Sequence, residues 1–411
     1  MLITAGYPSS SASRVCFLRH SYSNFGIIVR RRRAIGRRSC RATLITNSDL
    51  FEVGRLIGSY GFMNITSYSG LQSRMGMEIS PEDVGRLRSQ DVGEGSVKIR
   101  LYEGRIAQGP LRGTPVVFKV YPGKQVGGFE ADLMAANELD AHASLQTNSE
   151  SILCKNIQIL LGGFETKMGE QWLAFRYDGK YTVADYAKVA SEKMSNLGGQ
   201  RLWNPFEKDE TIKRRRYYVT KLLQGVIRGL GYMHDCDRLH QSLGPSSVVL
   251  NTIVEKDATY LVPKLRDLSF SVDIRYTELE GGSKTLFEGL WQRASAAGAF
   301  TPVDKRAFGV ADDIYEAGLL LAYVVFVPFC EGGVMDSLSL RRLLENTFQL
   351  DVQAMREYCL ADDRLIEAVT FLDLGNGAGW ELLQAMLNRD FRKRPIAEAV
   401  LNHRFMAGAF F

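Results

Sequence analysis

The sequence contains no aspartate or glutamate before Asp49, although nine arginines and many serines lie in that stretch. Four of the arginines form an uninterrupted run at positions 30–33. A segment that is rich in arginine and serine and lacks acidic residues is typical of an organellar transit peptide. We therefore predict that residues 1–48 are a transit peptide for the chloroplast. The mitochondrion is the alternative destination, and a basic, disordered tail is the alternative role.

Cysteine is scarce, and its spacing excludes the common cysteine motifs. The chain has six cysteines, and no two of them form a Cys-x-x-Cys pair. This spacing argues against a zinc site and against a disulfide framework. We expect reduced thiols, most of them buried.

Long apolar runs are also absent. The longest, at residues 317–330, contains Pro328 and is shorter than the ~20 residues that a membrane-spanning helix needs. We therefore predict a buried helix there rather than a membrane anchor. Beyond residue 48 the chain has 42 basic and 46 acidic residues, so its net charge of +5 comes from the N-terminal stretch. The charge gives no indication of a nucleic-acid-binding surface.

The composition is that of an ordinary globular protein, 45% hydrophobic and 24% charged over 411 residues. Residues 49–88 are punctuated by glycine and serine and show no clear hydrophobic period, so we assign them to an extension of unknown role. Short β-like runs follow, with one helical pattern at 129–145, and helical patterns dominate from residue 212 onward. This order predicts an α+β chain with a strand-rich lobe at 89–178, a helical lobe at 179–411 and a cleft between them.

Two short signals in the strand-rich lobe indicate phosphate binding. Gly93 and Gly95 begin a β-like run, and the main-chain N–H groups of a tight glycine turn can approach phosphates closely. Lys119 ends an apolar run, and Glu138 follows 19 residues later on the predicted helix. A lysine on a buried strand needs a carboxylate partner, so we expect an ion pair between Lys119 and Glu138.

A longer pattern resembles the protein-kinase family. Residues 232–251, which include His240-Gln241-Ser242-Leu243-Gly244-Pro245-Ser246-Ser247, are similar to the segment that contains the kinase catalytic loop. Lys264-Leu265-Arg266-Asp267-Leu268-Ser269 is similar to the metal-binding Asp-Phe-Gly motif, and Asp312-Asp313-Ile314 to the start of a buried helix. Arg392-Lys393-Arg394-Pro395 is similar to the closing Arg-Pro signature. The resemblance implies the two-lobed protein-kinase fold.

The catalytic loop departs from the family at three positions. Ser242 stands where an active kinase has the aspartate that accepts the substrate's hydroxyl proton. Gly244 stands at the lysine that contacts the γ-phosphate, and Ser247 at the asparagine that binds a second magnesium ion. Asp235 and Asp237 are the nearest other carboxylates in the sequence, and both precede the loop. The resemblance therefore supplies no catalytic base.

The positions that hold the nucleotide in protein kinases match the family better than the catalytic loop does. The resemblance implies that Lys119 contacts phosphate, that Glu138 is its helix partner, and that Asp267 is a magnesium ligand. A run similar to the kinase hinge follows Ala174, so main-chain groups there would hold adenine. ATP and Mg²⁺ are the cofactors this implies. The implied ATP-binding residues are Gly93, Gly95, Lys119, Glu138, Arg176 and Asp178.

These observations favour a chloroplast pseudokinase, which is a kinase-fold module that regulates or scaffolds a partner without efficient phosphate transfer. The alternative is an active but atypical serine/threonine kinase that phosphorylates a plastid protein. A purely structural scaffold without nucleotide is the third reading. The partner would be a plastid protein and not a nucleic acid, and association with the thylakoid surface would be peripheral.

Overall fold

The structure is a computed structural model that describes residues 44–63, 89–91, 97–147, 154–198, 205–275 and 288–407. Residues 1–43 of the predicted transit peptide lie outside the described residues. Gly93 and Gly95, with their predicted phosphate turn, also lie outside them.

The small lobe is built on a six-stranded antiparallel sheet in the order β2-β1-β3-β4-β6-β5. Most of the runs predicted from the sequence fall on these strands within a few residues. The strands are β1 (Phe51–Met63), β2 (Ser89–Asp91), β3 (Ile99–Ile106), β4 (Pro115–Tyr121), β5 (Leu160–Glu165) and β6 (Gln171–Arg176).

Strand β1 lies within the segment that the sequence assigned to an extension of unknown role. It pairs along its length with β3, with Phe51 opposite Ile106 and Tyr60 opposite Ile99. The small-lobe sheet therefore begins at Phe51, well before residue 89. The hydrophobic period of β1 is weak because its register with β3 shifts twice and because Leu56 and Ile57 are exposed.

One long helical segment, α1 (Lys124–Thr147), which is kinked at Gly128, packs against this sheet. Its buried positions are Ala131, Met134, Ala135 and Glu138, which follow the i, i+3, i+4, i+7 spacing of one helix face. Apolar residues of that face pack against Leu160, Leu173 and Phe175 of the sheet. The helix thereby brings Glu138 to the inner side of the lobe.

The large lobe is helical and has its own apolar core. The predicted helix at 212–234 lies within α3, where Leu222, Leu223 and Val226 are buried. The helices are α2 (Val183–Gly198), α3 (Pro205–Asp235), α4 (Glu288–Ala296), α5 (Pro302–Phe326), α6 (Ser337–Arg342), α7 (Val352–Leu360), α8 (Ile366–Met386) and α9 (Ala397–Asn402). Residues 374–377 interrupt α8 with non-helical backbone.

The apolar run at 317–330 forms the end of α5 and a short 3₁₀ turn, and most of its side chains are buried, as predicted. None of the helices in the described ranges is long and apolar enough to cross a membrane. The four cysteines in these ranges are free, and Cys330 and Cys359 are buried.

Short strands where the lobes meet hold the two motifs that face the cleft. Strands β7 (Tyr181–Thr182), β9 (Val248–Leu250) and β10 (Lys264–Leu265) form a three-stranded sheet. Strands β8 (Arg238–Leu239) and β11 (Val272–Asp273) form a separate pair. The catalytic-loop segment lies between β8 and β9, and Asp267 lies two residues after the end of β10.

Candidate nucleotide cleft

The predicted pair of Lys119 and Glu138 is present. Lys119 lies on β4, and its Nζ atom is 2.6 Å from Oε2 and 2.8 Å from Oε1 of Glu138 on α1. Both side chains are almost fully inaccessible to solvent. A buried ammonium group is stable only when a carboxylate partner and hydrogen bonds offset the loss of its hydration. Strand β4 and helix α1 are therefore tied together at this point.

Asp267 joins the same cluster from the large lobe. Its backbone has a left-handed conformation (φ 67°), and its Oδ1 atom is 2.7 Å from Nζ of Lys119. Burial alone would raise the pKa of Asp267, but Lys119 and Arg266 outweigh that effect and hold the pKa below its ordinary value. Lys119 thus stands between two carboxylates, and the carboxylate of Asp267 is charged.

Tyr60 on β1 completes the cluster, and the sequence analysis gave it no role. Its hydroxyl donates a hydrogen bond to Oδ1 of Asp267 at 2.5 Å. Nζ of Lys119 and Cζ of Arg266 each lie 5.7 Å from the centre of its ring. Burial and the nearby Asp267 carboxylate raise the pKa of Tyr60 well above its usual range. The phenol therefore remains protonated and acts as a donor.

The segment after Asp267 is bound to helix α1 by several hydrogen bonds. Glu138 accepts hydrogen bonds from the hydroxyl of Tyr121, from the main-chain N–H of Leu268 at 3.2 Å and from Oγ of Ser269 at 3.3 Å. Nδ2 of Asn137 donates to the carbonyl oxygen of Ser269 at 2.7 Å. Ser269 stands where the resemblance has glycine, and its hydroxyl adds a bond that glycine cannot make.

The catalytic-loop segment is held in place by Asp313 of α5. Its carboxylate accepts hydrogen bonds from the main-chain N–H groups of His240 at 2.7 Å and Gln241 at 3.0 Å, and Nε2 of His234 lies 2.9 Å from it. Burial would raise the pKa of Asp313, but its partners, His234 first among them, hold the pKa below the ordinary value. The loop backbone is therefore fixed although its catalytic side chains are replaced.

The two serines that stand at catalytic positions, Ser242 and Ser247, both form hydrogen bonds to main-chain groups. Oγ of Ser242 donates to the main-chain carbonyl oxygen of Asp267 at 2.7 Å. Oγ of Ser247 accepts from the N–H of Gly244 at 2.8 Å and donates to the carbonyl of the same residue at 2.9 Å. Ser247 therefore stabilises its own turn, whereas Ser242 ties the loop to the main chain at Asp267.

The predicted hinge lies at the end of β6. The main-chain N–H of Arg176 donates to the carbonyl of Ile159 at 2.9 Å, and its carbonyl accepts from Nε2 of Gln158 at 3.4 Å. The carboxylate of Asp178 pairs with Nε of Arg176 at 3.0 Å and Nζ of Lys264 at 3.4 Å. The structure places Arg176 and Asp178 together, and internal bonds already engage part of that edge.

The arrangement of these groups does not fit a magnesium ion. Mg²⁺ requires oxygen ligands in near-octahedral geometry. Oδ1 of Asp267 is bonded to both Tyr60 and Lys119, and its Oδ2 is 3.3 Å from Nε of Arg266. Ser247, at the second ligand position, is turned to its own loop. Within the described ranges, no group of three or more His, Cys, Asp or Glu residues is placed to hold a metal ion.

Comparisons with known proteins also indicate a similarity to protein kinases. No family model matches the sequence. The chain is 23% identical over 256 residues to the chloroplastic serine/threonine-protein kinase STN8 of Arabidopsis thaliana, a match that covers 58% of this chain and 49% of that protein. It is also 23% identical over 251 residues to the chloroplastic serine/threonine-protein kinase STN7 of the same plant, which covers 57% of this chain and 43% of that protein. The matches thus span less than half of the length of each relative.

The fold is similar to a solved kinase-homologue structure. The crystal structure of a Stt7 homolog from Micromonas algae, soaked with ATP, superposes with a TM-score of 0.53. The two chains are 18% identical, and the superposition covers 91% of this chain and 97% of the other. The described residues of this chain form a sheet-based small lobe and a helical large lobe. The chain therefore has the two-lobed protein-kinase fold.

Proposed function

We propose that this protein is a chloroplast protein-kinase-like module that regulates or scaffolds a partner protein and transfers phosphate at a negligible rate. The observation that carries the proposal is the bonding of Ser242. This residue stands at the position of the catalytic base, and its hydroxyl donates to the main-chain carbonyl of Asp267 at 2.7 Å. A serine hydroxyl is not a base at neutral pH, so no proton acceptor stands at that position.

Energetic arguments support the loss of transfer. A positioned general base contributes about 10²–10⁴-fold to the rate of a reaction. Phosphoryl transfer further depends on cations that neutralise the charge of the transferred group. Gly244 supplies no cation, and the hydroxyl of Ser247 is bonded within its own loop. Two kinds of assistance are therefore missing together, and the retained Lys119 compensates for neither.

An active but atypical serine/threonine kinase is the second candidate, because both curated relatives are named as kinases. This function needs another carboxylate at the loop. Asp237, one of the two nearest in sequence, pairs with Nη1 of Arg306 at 2.5 Å. Asp235 ends helix α3 before the loop begins. These positions favour the module without transfer.

The proposed location in the chloroplast rests on two independent observations. Both curated relatives are named as chloroplastic. Residues 1–48 have the composition of a transit peptide. The proposed partner is accordingly a plastid protein, and any association with thylakoid membranes would be peripheral.

A transfer assay on the full chain tests the proposal. With ATP, Mg²⁺ and casein as a general acceptor, we expect the native protein to transfer no more γ-phosphate than its Lys119→Met variant. The hydroxyl of Tyr60 is bonded to Asp267, the implied magnesium ligand, so the restored variant also carries Tyr60→Gly. In that background, Ser242→Asp, Gly244→Lys and Ser247→Asn together should raise transfer at least about 10²-fold. Ser242→Asp alone should raise it little, because groups that act as a unit are not additive. Robust transfer by the native protein that Lys119→Met abolishes would establish the active kinase instead.

A further inference from the structure

We propose that Tyr60 closes the phosphate end of the cleft, so that a magnesium–nucleoside triphosphate is excluded while this side chain is in place. The inference rests on the proposed function only in taking this cleft as the kinase nucleotide site. It concerns binding and not transfer. Tyr60, rather than the replaced loop residues, would then decide whether such a ligand enters.

The backbone position of Tyr60 is fixed by strand pairing. Tyr60 lies opposite Ile99 near the end of β1, with Gly58 and Gly61 on either side. Main chain that approaches phosphates closely is usually glycine-rich, because a side chain there would occupy the space of the ligand. At this strand end the glycines flank a tyrosine. Its ring is buried, and it reaches across the cleft from β1 to Asp267.

The contacts of Tyr60 are those that a phosphate and its metal ion would require. Its hydroxyl is bonded to the carboxylate of Asp267, which the resemblance assigns to magnesium. Its ring lies near Lys119 and Arg266, the two cations that would otherwise face an anion. Cations are attracted to the faces of aromatic rings, and burial strengthens the attraction. The side chain therefore occupies the space between the metal ligand and the phosphate-binding cations.

The charged groups of the closed cluster already neutralise one another, so no bound anion or cation is needed to balance them. Two cations, Lys119 and Arg266, face two carboxylates, Glu138 and Asp267, so the formal charges cancel. Tyr60 adds a neutral donor to this balanced set. A metal triphosphate would have to displace the phenol and break the contact between Lys119 and Asp267. Removal of the phenol should therefore open the site.

Nucleotide titration of the full chain tests this inference by calorimetry and by thermal shift. We expect the native protein to show no binding of ATP with Mg²⁺ up to about 1 mM, the upper end of the usual range of enzyme KM values. Tyr60→Ala should bind at least about tenfold more tightly, and ligand binding to the folded state should raise its melting temperature. The matched control is Tyr102→Ala, because Tyr102 lies on the neighbouring strand β3 and packs on Trp172. The Tyr102→Ala variant should, like the native protein, show no binding of ATP with Mg²⁺.

Two further variants keep the inference testable if Tyr60→Ala folds poorly. Tyr60→Phe retains the ring and loses only the hydroxyl, so binding should become detectable but weaker than in Tyr60→Ala. Adding Asp267→Asn to an opened variant should abolish the dependence on Mg²⁺. Tight Mg²⁺–ATP binding by the native chain would overturn the inference while leaving the absence of transfer intact. A folded Tyr60 variant that gains no binding, or gains binding without magnesium dependence, would overturn it as well.

Discussion

The two sides of the cleft satisfy their polar groups in different ways. On the phosphate side, Lys119, Glu138 and Asp267 are charged, buried and joined across elements that are far apart in sequence. On the catalytic-loop side, Ser242 and Ser247 are neutral and bond to nearby main-chain groups. The charged residues of the first side form long-range ion pairs, whereas the two serines of the second side form only neutral hydrogen bonds.

This difference explains how a kinase fold can lose its catalytic-loop residues and still keep the buried charged residues on the phosphate side. Replacing a loop residue by serine or glycine removes a function and leaves the backbone satisfied. Removing one member of a buried ion cluster leaves its partners buried and unpaired, at a cost of several kcal/mol. Conserving stability alone is therefore sufficient reason for a chain to keep Lys119, Glu138 and Asp267. Their presence is weak evidence for ATP chemistry.

Removing a charged residue from the phosphate side should have the largest effect on stability. Lys119→Met leaves Glu138 and Asp267 facing each other without a shared cation, so we expect the free energy of unfolding to fall by about 3–5 kcal/mol. Denaturant titration followed by circular dichroism measures the change. Lys213→Met is the control, because Lys213 pairs with Asp209 on the exposed surface and should give no measurable loss. Equal stability of the two variants would contradict the comparison.

His142 tests the region between the two sides. It is fully buried on α1 against Phe175, and burial lowers its pKa to about 3. Because the folded pKa lies below the unfolded value, stability is complete above about pH 6.5 and declines as the pH falls toward 3. His142→Leu should remove this decline. Between pH 8 and pH 5, the free energy of unfolding of the variant should therefore rise by about 2 kcal/mol relative to that of the native protein.

Unfolding titrations at the two pH values measure the effect of His142→Leu. His403→Leu is the control, because His403 is partly exposed beside Glu381 and should change the difference between pH 5 and pH 8 less. A pH dependence that persists in His142→Leu would show that other groups cause it.

Removing a serine hydroxyl from the catalytic-loop side should have the smallest effect on stability. Ser242→Ala removes the hydrogen bond from Oγ to the carbonyl of Asp267, so we expect a loss of about 1 kcal/mol in the free energy of unfolding. The same denaturant titration measures it, with the exposed Ser337→Ala as the control. A loss as large as that of Lys119→Met would mean that the two sides do not differ in the proposed way.

The sequence predicted the fold well where periodicity was strong. The helix at 212–234, the apolar run at 317–330 and the strand that ends in Lys119 all lie in elements close to their predicted positions. The ion pair of Lys119 and Glu138 was also predictable, because a buried strand lysine needs a partner and one helix follows. Strand β1 was not predicted, because its register shifts and exposed side chains obscure the alternation of a strand.

The amino-acid sequence specifies which chemical groups the cleft contains: a lysine, two carboxylates, and serine and glycine in place of the catalytic residues. How those groups contact one another depends on the folded chain. Tyr60 meets Asp267 across 207 positions of sequence, in a contact that no local pattern encodes. Asp267 is shared by Lys119 and Tyr60 only because the two lobes fold against each other. The physical reason is that hydrogen bonds and ion pairs act over a few ångströms, whatever the separation along the chain.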